Sequence, residues 1–210
     1  MTSKKNEEII GQIKKKIQME ADALQRVAAQ IDDASAEAAR LISYCRGRVV
    51  VTGLGKAGHI GKKIAATFAS IGIPAFFVHT CESLHGDMGM ITKDDVVIMI
   101  SNSGETSEIL NMLPSLKIIG PATISITGSR ESPLAKGTDV MILCDAGDEI
   151  DHNSLAPTAS AIAALAIGDA LATVVSQEKG FSDKDFAMNH PGGALGQKLI
   201  KEYLERVNGT

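Results

Sequence analysis

A chain of 210 residues, 44% hydrophobic and 22% charged, has the composition of one sizeable domain with a buried core. A net charge of −4, no Trp, two Tyr, five Phe and no Lys/Arg stripe with interleaved aromatics argue against a nucleic-acid surface, so an anionic ligand must be held by local geometry. Cys45, Cys81 and Cys144 are widely spaced and form neither a CxxC nor a CxxxH pattern, which predicts reduced thiols in a cytoplasmic protein, with no disulfide framework and no metal site.

Residues 4–43 carry Ile9, Ile13, Ile17, Leu24, Val27 and Ile31 at helical spacing among Lys, Glu and Gln. This predicts an amphipathic helix followed by an Ala-rich one, a helical arm over residues 1–46 that packs on a partner or on its own domain. A coiled-coil adaptor is the competing reading, but the heptad pattern lasts too few turns. The Lys/Glu-rich start has no apolar stretch of the signal-peptide kind, which predicts no export.

From Arg48 the pattern changes to short β-branched runs alternating with helical segments. Strands are predicted at 49–52, 75–78, 96–100, 123–127 and 140–144, with helices between them. Continuous apolar strands separated by helices imply an α/β fold: a doubly wound five-stranded parallel sheet, joined by right-handed crossovers and covered on both faces. Residues 47–210 are expected to form this domain. The apolar stretch 155–175 contains Pro157, several hydroxyls and Asp169, and is read as a core helix, not a membrane span. Met88, Met90 and Met99 are expected in the core.

Ser101-Asn-Ser-Gly-Glu-Thr106 follows the apolar run Val96-Val-Ile-Met-Ile100 and passes into a helical pattern from Ser107. A Ser/Thr/Gly turn between a buried strand and a helix is a phosphate cradle. Ser101, Asn102, Ser103 and Thr106 can donate from side chains, and Gly104 allows the tight backbone that an anion nest needs. An ordinary strand-to-helix connection is the alternative.

Gly53-Leu-Gly-Lys-Ala-Gly-His-Ile-Gly61 follows the first strand and has the spacing of a dinucleotide fingerprint. That fingerprint also needs an acidic residue at the end of the second strand, where this chain has His79-Thr80, with Glu82 slightly beyond. NAD is therefore disfavoured. Gly55 and Lys56 are read as contacts to a small anionic or polyhydroxylated ligand, with simple helix-turn packing as the alternative. His85 is either a structural histidine or a functional one at the same sheet edge. Glu105 is either a solvated helix-start residue or a base held near substrate. Glu149 lies in the acidic run 145–151, whose default is a solvated loop. His190 sits in Asn189-His-Pro-Gly-Gly193, a specially shaped loop with no regular-structure reason for a histidine.

Together with Leu84-His-Gly-Asp-Met-Gly89, Leu155-Ala-Pro-Thr158 and His190-Pro-Gly-Gly-Ala-Leu-Gly196, these motifs resemble the sugar isomerase (SIS) domain of the arabinose-5-phosphate isomerases over residues 48–199. The resemblance implies that Ser101, Ser103 and Thr106 hold a phosphate and that Lys56, His85, Glu105, Glu149 and His190 form the catalytic set. It implies interconversion of D-arabinose 5-phosphate and D-ribulose 5-phosphate without metal or other cofactor. The expected partners are a sugar phosphate and further copies of the chain, as a dimer or tetramer, with no nucleic acid and no membrane. Family members often carry two C-terminal CBS domains, and the chain resembles the SIS-only form. The family's Cys-Pro-Leu-Gly segment reads Asp151-His-Asn-Ser154 here, a departure that bears on loop shape and sugar choice.

Aldose–ketose isomerisation through a cis-enediol needs a base, a carbonyl polariser and a proton donor for ring opening. His190 is the first choice for base or ring-opening acid, Glu105 the competing base, Lys56 the enediolate stabiliser, and His85 the group that orients or protonates a ring oxygen. His190 is expected to serve chemistry more than folding, with the site of a neighbouring subunit as one place for it. The rival readings are a phosphosugar sensor without turnover and an isomerase of another sugar phosphate.

Overall fold

The computed structural model describes residues 2–208. Strands β1 (Val49–Gly53), β2 (Ala75–His79), β3 (Val96–Ile100), β4 (Ala122–Thr127) and β5 (Val140–Leu143) form one parallel sheet in the order β2-β1-β3-β4-β5. The doubly wound sheet is thus as expected, each strand within two residues of its predicted ends. Every residue of β1 and β3 is buried, because these central strands are covered on both faces.

Alternate residues supply the two cores. Val49, Val51, Ile98 and Ile126 meet the layer formed by α1 (Thr2–Ala28), α2 (Asp33–Ser43), α3 (Gly55–Ser70) and α8 (Ala159–Glu178). Val50, Val97 and Met99 meet α5 (Ser107–Leu110), α6 (Leu113–Ile119) and α7 (Pro133–Gly137). A short α4 (Thr80–Ser83) closes the end of β2, and the chain finishes in α9 (Asp183–Asn189) and α10 (Ala194–Asn208).

α2 starts where Asp32 and Ser35 form a reciprocal capping box, and Ala38 and Ile42 of this helix are fully buried. Ala23 and Val27 at the end of α1 are buried in the same core, so the second half of the arm shares one interior with the sheet, α3 and α8. Toward the N-terminus, Ile9, Ile10, Ile13 and Ile17 remain between 47% and 62% exposed. α8, long and apolar enough by composition to cross a membrane, is covered by α1, α2 and α3 as a core helix. Its Gly168 admits the Ile64 side chain so closely that a Cβ there has no room.

Two expectations need correction. The helix expected from Ser107 lasts four residues and restarts as α6, because Pro114 is accommodated only in a first turn. Met99 is buried, but Met90 is exposed on a 3-10 turn at residues 87–90.

Candidate active site

The sheet order reverses between β1 and β3, and a crevice at the C-terminal ends of these strands is where doubly wound folds take ligands. A cavity of about 290 Å³ lies there. From one side it is lined by Leu54, Lys56 and Ala57 at the start of α3, from another by Ser101, Asn102, Ser103 and Thr106. Among the described residues, Lys56 is the one cationic side chain in its wall.

The 101–106 turn is held in shape from within. The hydroxyls of Ser101 and Thr106 lie 2.9 Å apart, and the Gly104 N–H donates to Ser101 Oγ at 3.2 Å. Gly104 has φ +64°, and a Cβ on it would strike the Ser132 side chain and come within 2.8 Å of Thr127 Oγ1. Glycine is therefore required twice over, by conformation and by space. Gly128 N–H donates to the Asn102 carbonyl at 2.9 Å, tying the turn to the end of β4.

In the first two turns of α3, a Cβ on Gly58 would lie 2.8 Å from the Gly53 carbonyl oxygen, and one on Gly61 would lie 2.9 Å from the Phe77 ring. These two glycines let α3 lie close against β1 and β2. Gly55 has φ +58° and open space around it, as the first residue of α3 next to Lys56.

The other expected catalytic residues lie outside the wall of this cavity. His85 is exposed after α4, with its N–H bonded to the Glu82 carbonyl at 2.9 Å. Glu105 is exposed on the rim of the turn, where its N–H donates to Ser103 Oγ at 3.2 Å.

The Glu149 carboxylate sits at the start of α8. It accepts from Thr158 N–H at 2.7 Å, Thr158 Oγ1 at 2.9 Å, Ser160 N–H at 3.2 Å and the Ser160 hydroxyl. Partial burial pushes this carboxyl upward, but the hydrogen bonds from Ser160 and Thr158 outweigh it, leaving its pKa below the ordinary glutamate value. In this chain Glu149 caps a 20-residue helix.

Where the family pattern has glycine, Ser154 takes φ +54°. Its Oγ accepts from Glu149 N–H at 3.0 Å, and Asp151 Oδ1 accepts from Leu155 and Ala156 N–H at 2.8 and 2.9 Å. Local hydrogen bonds thus hold the departed segment in the left-handed turn.

His190 follows α9. Its Nδ1 lies 2.9 Å from the Phe186 carbonyl, its Nε2 lies 3.1 Å from Ser70 Oγ, and its ring stacks on Phe186 with centroids 3.9 Å apart. The histidine therefore has a local structural reason that its loop did not reveal. Gly196 packs over it, since a Cβ there would run into the His190 carbonyl.

Residues that sequence reading did not assign to the site also line the cavity: Thr127, Cys144, Pro157 and Ser160. Thr127 and Cys144 end or follow β4 and β5, so the strand-end rule could have found them. Burial pushes the Cys144 thiol up to about 12, making it a neutral wall group.

Residues 42–174 match the family described as SIS domain. Over 200 residues the chain is 50% identical to arabinose 5-phosphate isomerase KdsD of Pseudomonas aeruginosa, covering 95% of this chain and 61% of that one. It is 54% identical over 157 residues to KdsD of Escherichia coli K12, covering 75% of this chain and 48% of that one. The chain thus spans about half to three fifths of these relatives. A solved structure of an E. coli CFT073 protein in complex with arabinose 5-phosphate superposes with a TM-score of 0.86 at 45% identity, covering 89% of this chain and 99% of that one.

Proposed function

The chain belongs to the SIS-domain family, and from that premise we propose that it interconverts D-arabinose 5-phosphate and D-ribulose 5-phosphate through a cis-enediol. One observation carries the reading: a hydroxyl-rich turn around an obligatory glycine and a single lysine face one cavity at the sheet's switch point. Its size of about 290 Å³ is at the small end of ligand pockets, which run from about 300 Å³, and suits a pentose phosphate better than a dinucleotide. The named isomerases among its relatives and the neighbour bound to arabinose 5-phosphate support the same substrate.

In this reading Ser101, Asn102, Ser103 and Thr106 hold the phosphate, with Gly104 shaping the turn, and so fix the reacting carbons relative to Lys56. A base removes the proton from C2 of the open-chain aldose as O1 gains one. The resulting enediol gives up its O2 proton and takes a proton at C1 to become the ketose. Lys56 stabilises the negative charge that develops on oxygen. His190 of a second copy, or Glu105 of the same chain, is the base, and His85 assists at the ring oxygen.

The separation between His190 and its own cavity favours a site completed by another copy, in a dimer or tetramer. The exposed Ile9, Ile10, Ile13 and Ile17 give such an assembly an apolar face to cover. Free thiols at Cys45, Cys81 and Cys144 agree with a reducing, cytoplasmic setting.

NMR of the protein with D-ribulose 5-phosphate in deuterated water tests the reaction. Arabinose 5-phosphate deuterated at C2 is the expected product. Binding without exchange would instead make the protein a sensor, and exchange only with another sugar phosphate would replace the substrate.

A further inference from the structure

The connection from β5 to α8 covers residues 144–158 without regular structure, and both of its ends reach the cavity, through Cys144 at one and Pro157 at the other. A connection of this length inside a compact domain needs something to fix it. Glu149, Asp151 and Ser154 hold its second half from within, and its start is fixed by the N-terminal helix and the turn after it. Arg26 Nε donates to the Asp145 carbonyl at 3.0 Å, and its guanidinium pairs with the Asp145 carboxylate. Gln30 bonds the same residue twice, Nε2 to the Asp145 carbonyl at 2.8 Å and Asp145 N–H to Oε1 at 3.0 Å. Farther along the helix, Lys16 Nζ donates to the Ile150 carbonyl.

Resting on the isomerase reading above, we propose that Arg26 and Gln30 are positioning residues of the active site, acting through Asp145 on the cavity wall at Cys144. Asp145 directly follows Cys144, whose own N–H donates to the Thr127 carbonyl at 2.8 Å. The wall residue is therefore fixed on one side by the sheet and on the other by the Arg26–Gln30 grip. The Arg26–Asp145 pair is exposed, with about half of each side chain in solvent, so its ionic contribution to global stability is small. Position is a different matter, because displacing a binding wall by about 1 Å can cost up to about 10²-fold in kcat/KM. The grip then controls catalysis far more than folding. It also gives α1 a role in the site although, among the described residues, none of α1 lines the cavity.

The test uses the full chain carrying Arg26→Met and Gln30→Met, substitutions that keep the aliphatic stems and remove the hydrogen bonds. The expected result is a KM for arabinose 5-phosphate raised by about tenfold with kcat changed less, and faster amide exchange confined to residues 145–156. Melting should stay within a few degrees of the unaltered protein. Arg26→Lys alone, which keeps the charge but not the fork, should fall between the two, and it replaces the double variant if that fails to fold. Unchanged KM and unchanged exchange overturn the proposal, as does faster exchange with an unchanged KM. If the unaltered protein turns over no sugar phosphate, the isomerase reading falls. Exchange at 145–156 together with the calorimetric affinity for arabinose 5-phosphate then decides the grip, and unaltered values overturn it.

Discussion

Nε2 of His190 lies 3.1 Å from the hydroxyl of Ser70, and Ser70 ends the same helix whose first turn carries Lys56 into the cavity. Fourteen residues of helix separate Lys56 from Ser70, about 21 Å at 1.5 Å per residue. A histidine held at one end of α3 does not reach a substrate bound at the other end. If both act in one reaction, they come from different chains.

Replacing His190 by Asn is expected to lower kcat by about 10²-fold, the usual contribution of a general acid or base. Loss of the Phe186 stack should cost about 1 kcal/mol of stability. The decisive measurement mixes His190→Asn with Lys56→Ala subunits after dissociation and reassembly. Activity should return, because some mixed assemblies then contain one complete cavity. Silence on mixing, with each variant folded, would place His190 outside the chemistry.

Ser103→Asp is expected to raise KM for arabinose 5-phosphate at least tenfold while melting changes little, since Ser103 is exposed and its Oγ bonds only the neighbouring Glu105 N–H. A carboxylate on that turn repels the phosphate. Steady-state kinetics showing the original KM would remove the turn from phosphate binding.

Gly58→Ala should destabilise the fold by about 1–3 kcal/mol, because the new Cβ meets the backbone carbonyl of Gly53 and no flexible side chain can yield. The same push moves Lys56, so kcat/KM should fall beyond what the folded fraction explains. Denaturant titration and kinetics on one preparation check both. Calorimetry with NAD should show no saturable binding, in keeping with glycines that serve packing of α3.

Glu149→Gln separates capping from chemistry through pH. The folded pKa of Glu149 lies below the ordinary value of 4.5, so the unfolded chain takes up this proton first on acidification. Its stabilisation is complete above about pH 4.5 and is lost as the pH falls through the folded pKa. The variant should therefore melt lower than the parent at pH 7, by about 1 kcal/mol as for a lost helix cap, and the gap should narrow by pH 3. A gap of the same size at both values would mean that the carboxylate charge contributes nothing at the α8 terminus.

The order of elements and the hydroxyl-rich turn at the end of β3 were legible because both are written in local signals. Val49–Gly53 and Val96–Ile100 are β-branched or apolar throughout, which a doubly covered strand requires, and Ser101 to Thr106 follows with hydroxyls and one glycine. Met90 and the break at Pro114 were misread because an apolar side chain or a helical period says nothing of whether a turn will expose it or a proline will interrupt it.

Spacing along the chain determined which residues share a strand end, since hydrogen bonding and hydrophobic period act over a few residues. Only the tertiary structure decided which distant residues meet. Glu149 reads as part of an acidic loop until Thr158 and Ser160 close around it, and Arg26 reads as one charge on an amphipathic helix until Asp145, 119 residues on, lies against it. His190 carries the features of a site residue, yet the length of α3 puts it at the far end of its own domain from Lys56. Such distances follow from the packing of whole elements, and no local pattern encodes them.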